Sequence, residues 1–166
     1  MARNCWRAIT LALLAAGALP ISNGFAEPFE MDSYLTVTDG GFGDEASGAK
    51  MGSFLAEGTS VSPSGSAPFH RSAVECRFIT YQVGDDDTPY KDRVGAVGTC
   101  RVNDADDDIF ILEMQRNMGD QVGNWTVVYG TGKYQGGTGS GTYDFFNVPG
   151  KPDSQVPVEW RGDVNM

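Results

Sequence analysis

The chain has 166 residues, with 22 Asp+Glu against 12 Lys+Arg and a net charge of −10. That length suits a single domain behind an export signal. The acidity excludes nucleic acid or an anionic membrane as partner, because both would repel the surface.

Residues 1–26 read as a cleaved signal peptide. Arg3 and Arg7 form a charged start, Ile9 to Leu19 is an apolar run, and Gly24-Phe25-Ala26 supplies small residues at a cleavage site. The run falls short of the about 20 residues that span a bilayer, and Cys5 precedes it, which excludes a lipoprotein signal. Cleavage of 26 of the 166 residues leaves one domain of 140, residues 27–166. Its charge becomes −12, since Arg3 and Arg7 leave with the signal. An exported destination follows, periplasm or extracellular space, with no membrane association after cleavage. Asn124-Trp125-Thr126 is a glycosylation sequon, meaningful only in a eukaryotic secretory route.

From Glu27 the chain alternates short apolar-polar runs with Gly, Asp, Asn and Pro clusters. The first strand is Ser33 to Thr38, which Asp39-Gly-Gly41 ends. Gly41 to Lys50 is small and polar and reads as a loop. Met51 to Val61 reads as a strand because of Gly52 and Gly58, and Ser62 to Ala67 as a surface connection. Ala73 to Gly84 is a strand, Asp85 to Asp92 an acidic loop, and Arg93 to Asn103 the next strand. A register that sets Val83 opposite Arg93 also sets Cys76 opposite Cys100. Opposed residues on antiparallel strands are close enough for a bridge with slight adjustment. An exported chain favours that disulfide; two neighbouring buried thiols are the alternative.

Asp104 to Asp108 is a second acidic turn. Ile109 to Asn117 follows as a strand, with Phe110, Leu112 and Met114 on one face. Trp125 to Tyr129 leads into a glycine-rich corner, Ser140 to Phe146 leaves it, and Val156 to Val164 ends the order as an edge-like strand tolerating Pro157. Eight short strands without a long amphipathic helix predict an all-β fold, an eight-stranded antiparallel up-and-down β-barrel. Such a barrel is either filled by side chains or holds one small ligand.

The corner, Gly130 to Phe146, fails as a nucleotide site. Tyr134 follows Gly132-Lys133 where a phosphate loop needs Ser or Thr, and Gln135 stands in the third glycine position of a dinucleotide fingerprint. Its glycines suit a sharply bent barrel corner, with Tyr134 lying across the barrel end. The segment Tyr129-Gly-Thr-Gly-Lys-Tyr-Gln-Gly-Gly-Thr-Gly139 resembles the Gly-Gly-Thr/Ser-Gly-x-Phe-x-Gly-Ala-x-Gly stretch of allene oxide cyclases. It is also similar to the Gly-Gly-Thr-Gly-x-Phe stretch of plant dirigent proteins. Gly130, Thr131, Gly132, Gly136 and Gly139 match, Tyr134 takes the aromatic place, and Tyr129 departs from a glycine. The resemblance implies a calycin-like barrel, often trimeric, that steers an isomerisation or cyclisation without metal or organic cofactor. Neither family's catalytic residues can be placed on this sequence.

Other chemistry is sparsely represented. His70 is the lone histidine, and without a Gly-x-Ser-x-Gly elbow it makes no hydrolase triad; three-ligand zinc sites are equally poor. The acidic turns lack the EF-hand pattern and read as solubility features, with calcium at the second turn as the alternative. Ionisable and phenolic groups within strands or the corner are the candidate ligand-binding residues: Glu75, Arg77, Tyr81, Glu113, Arg116, Tyr134 and Tyr143. In the third strand Glu75, Arg77, Ile79 and Tyr81 share one face, opposite the more apolar Val74, Cys76, Phe78 and Thr80. The charged face points either to solvent or to the lumen as a polar cluster. The leading expectation is a barrel that binds an apolar or aromatic small molecule. A structural or interaction module with a packed interior is the alternative.

Overall fold

A computed structural model describes residues 26–44, 49–65, 69–84, 90–146 and 148–166. The predicted signal peptide up to Phe25 and the acidic run Asp85-Asp86-Asp87 lie outside the described residues. The eight strands are β1 (Glu27–Asp44), β2 (Ala49–Val61), β3 (Ser72–Val83), β4 (Val94–Asn103), β5 (Ile109–Arg116), β6 (Gly123–Gly130), β7 (Thr138–Phe145) and β8 (Gln155–Asn165). Each pairs antiparallel with its sequence neighbours, and β1 pairs with β8 to close the barrel. One helical turn, α1 (Tyr90–Arg93), precedes β4.

Alternation places one face of every strand inside. On β5, Phe110, Leu112 and Met114 are at most 4% exposed, as the sequence predicts. On β3, Val74 and Cys76 are buried while Arg77 and Ile79 are exposed. The predicted register holds: Cys76 faces Cys100 with Gln82 opposite Val94. The two cysteines form a disulfide, with Cα atoms 4.0 Å apart. A loop of this length contributes about 3 kcal/mol by restricting the unfolded chain.

Two expectations need correction. β1 does not stop at Asp39-Gly-Gly41 but continues to Asp44, so Gly41 to Asp44 and Ala49-Lys50 are strand rather than loop. The turn residues are overruled because β2 pairs with β1 along Asp32–Asp44, well past Thr36, where the pairing with β8 ends. A register shift between Val37 and Asp39 absorbs the misfit at Thr38, and Gly40 adopts a φ of 121°. β8 is not an edge either: Pro157 lies opposite Tyr34, and its carbonyl accepts a hydrogen bond from Phe146 N at 3.2 Å.

The barrel ends differ. One carries the β2–β3, β4–β5 and β6–β7 connections and is sealed by aromatic rings. Phe69 stacks on Tyr134 with centroids 5.5 Å apart, and contacts Phe29 at 4.8 Å and Phe110 at 5.0 Å. Just inside, Trp125 lies against Gly141 and Gly162, where any Cβ would meet its ring within 2.8 Å. Its Nε1 donates to the Thr142 and Arg161 carbonyls at 3.0 and 3.2 Å. Glycine on adjacent strands thus makes room for one indole.

Candidate functional site

The glycine corner builds the sealed end. Thr131 exchanges two bonds with Ile109, donating its N–H to the carbonyl at 2.9 Å and accepting the Ile109 N–H on Oγ1 at 2.8 Å. A single 3-10 turn over Gly132–Tyr134 then drops the Tyr134 ring into the barrel. Gly132 takes a φ of 51°, and a Cβ there would collide with the Asp108 carboxylate.

The Tyr134 hydroxyl donates to Asp104 Oδ2 at 2.8 Å, and Lys133 Nζ bonds the same oxygen at 2.6 Å. Asp104 Oδ1 accepts the N–H groups of Asp106 and Asp108 at 2.8 and 3.0 Å. Burial opposes ionisation of Asp104, but these bonds outweigh it and hold its pKa down to about 2. Lys133 is pushed up by its bonds to Asp104 and Asp106. Tyr134 is pushed up by burial first and by its bond to Asp104 second. Both therefore keep their protons, and the cluster serves as a clasp between the glycine corner and the second acidic turn. With the Asp104 oxygens occupied by donors, the turn forms no metal cage. Among the described residues no group of three His, Cys, Asp or Glu side chains is placed to hold a metal.

The opposite end, where α1 and the β5–β6 and β7–β8 connections lie, opens into a cup of about 460 Å³. Its wall is mostly aromatic. Phe42 meets Phe54 at 5.2 Å, and Phe54 stacks on Phe78 at 5.6 Å, forming a ladder across β1, β2 and β3. Phe145 and Phe146 line it from β7 and the segment beyond. The floor is the disulfide with Phe78, Phe145 and Trp160, and the cavity that these residues line measures about 10 Å³. A groove on the outer face beside Glu75 and Arg101 is larger, about 530 Å³, but mixes charged and apolar groups on open surface.

The sequence-derived candidates are scattered across this architecture. Glu75 and Arg77 form an exposed ion pair at 2.9 Å on the outer face, and Glu113 is exposed as well. The polar lumen cluster of β3 does not form. Tyr81 also lies outside, its ring covering Gly95 and its hydroxyl 3.4 Å from the Arg116 carbonyl. Tyr134 belongs to the sealed end, and Tyr143 is buried beside Trp160 at 5.3 Å and Phe145 at 5.8 Å. Arg116 alone of the seven lines the cup. The phenylalanine ladder had one signal in the sequence: the β2–β3 register places Phe54 opposite Phe78.

No family model matches the chain, and no curated protein matches it in sequence. Solved structures do match in fold. A pterocarpan synthase dirigent protein, GePTS1, superposes with a TM-score of 0.51 at 15% identity, covering 84% of this chain and 89% of that one. A second, PsPTS1, gives a TM-score of 0.51 at 15% identity, covering 84% and 96%. A protein of unknown function from the DUF3224 family of Shewanella oneidensis gives 0.54 at 13%, covering 86% and 98%. The chain is thus a closed eight-stranded antiparallel barrel with the fold of dirigent proteins.

Proposed function

We propose that this protein is an exported barrel that binds an apolar or aromatic small molecule in its cup. There it steers an isomerisation or cyclisation, as the resemblance to allene oxide cyclases and dirigent proteins implies. The carrying observation is the cup itself, about 460 Å³ walled by five phenylalanines. Ligand pockets are typically about 300–1,000 Å³ and mainly apolar. Such a cup would act by folding a substrate into one reactive conformer and excluding water, and that mode of action calls for no cofactor. The Cys76–Cys100 disulfide supports an oxidising compartment. Trimer assembly belongs to the same reading, by resemblance alone.

The other reading is a structural or interaction module. Its support is the filled half of the lumen, where Trp125, Trp160, Tyr134 and Tyr143 are fully buried. Native mass spectrometry of protein recovered from its own host separates the two. A co-purifying hydrophobic compound is expected, and its repeated absence counts for the module.

A further inference from the structure

One rung of the cup breaks its apolar character. Gly52, Thr80, Ala96 and Arg116 stand side by side across β2, β3, β4 and β5. Arg116 is 5% exposed and Thr80 7%, and both line the cup. One guanidinium nitrogen of Arg116 donates to the carbonyls of Asp120 and Gln121 at 3.3 and 3.4 Å. Another faces the Asp144 carboxylate at 3.6 Å, and the Phe145 ring centre is 6.0 Å from the guanidinium carbon. Arg116 Nε and Thr80 Oγ1 have no hydrogen-bond partner among the described residues.

That charge is incompletely compensated. Carbonyl oxygens satisfy donors but carry no net charge. Asp144 is farther away than a charge-assisted bond allows, and its side chain is 39% exposed, so water screens it. A buried cation whose one counter-ion is loosely held and half in solvent is costly, and it acts strongly across an apolar cavity of low dielectric. Among the described residues that line the cup, Lys151 and Asp153 offset each other in charge.

We infer that the ligand of the cup is an amphiphilic anion. Its apolar or aromatic body lies against the phenylalanine wall, and its carboxylate or phenolate oxygen turns toward Arg116. This deepens the proposed function and rests on it. It is also a selective signature on a chain whose net charge of −10 disfavours anions overall.

Three probes with one naphthalene body test it by calorimetric titration of the full, disulfide-bonded chain: 2-naphthoate, its methyl ester and 2-naphthylmethylammonium. The carboxylate is expected to bind about tenfold tighter than the ester, with the ammonium weakest. Arg116→Lys keeps that order and Arg116→Gln erases it while ester binding persists. If the ester matches the carboxylate in the unmodified protein, the anion inference fails and the cup reading stands. If none of the three binds, both fail. Since Arg116 also ties down the β5–β6 turn, circular dichroism checks the variants. Where Arg116→Gln does not fold, the probe series on the unmodified chain decides alone.

Discussion

Asp104 shows how much one side chain can fasten. Its two oxygens receive two backbone N–H groups, a tyrosine hydroxyl and an ammonium. In Asp104→Asn the side-chain nitrogen can only donate, so two of these donors lose their acceptor and the charge is gone. Hydrogen bonds to charged groups are worth about 1.5–3 kcal/mol each, so we expect a loss on the order of 3 kcal/mol in urea unfolding. The pH dependence follows from the sign of the shift. The carboxyl pKa falls from 3.8 in its ordinary state to about 2 in the fold. Its contribution is therefore complete above pH about 4 and lost as the pH falls toward 2. Unfolding midpoints measured across that window should decline more steeply for the parent than for Asp104→Asn. At this scale the sequence was partly legible. Tyr134 across the barrel end follows from its glycine neighbours, whereas Asp104 looked like any solvated turn residue. Its burial depends on a corner thirty residues later in the chain.

At the scale of elements, the glycine corner works by close approach as much as by backbone freedom. A Cβ on Gly130 would come within 2.1 Å of the Tyr134 carbonyl, whereas one on Gly136, with φ 77°, meets nothing within 4 Å. Gly130→Ala should therefore cost about 3 kcal/mol through forced displacement of the corner. Gly136→Ala should cost about 1 kcal/mol, from conformation alone. Equal losses in chemical denaturation would contradict this account. The β3–β4 register was legible because two cysteines and a hairpin constrain it. The length of β1 was not, since Asp39-Gly-Gly41 reads locally as a stop. Pairing with β2 and a bulge carry the strand onward, and no local pattern announces them.

For the whole molecule, the division into a sealed half and a cup decides where ligands can go. The cup depends on Ala96 being small on the inner face of β4. Ala96→Phe should fill it while leaving the sealed half intact. A cup ligand at a hundred times its dissociation constant adds about 2.7 kcal/mol to stability. Thermal melts should therefore rise by several degrees with 2-naphthoate in the parent, and by nothing measurable in Ala96→Phe. An equal rise in both would place the binding elsewhere. The barrel class was readable from eight alternating runs, but the cup was not, because its walls converge from strands far apart in sequence. The closing seam also imposes an order in time. Glu27 pairs with Val164 and Thr36 with Gln155, so the first strand waits for the last before the cylinder can shut. Contacts this remote make folding slow, on the scale of milliseconds to seconds. Throughout that interval β1 and β7 show bare edges able to pair with other chains, so the emerging polypeptide is open to mispairing until its final strand arrives.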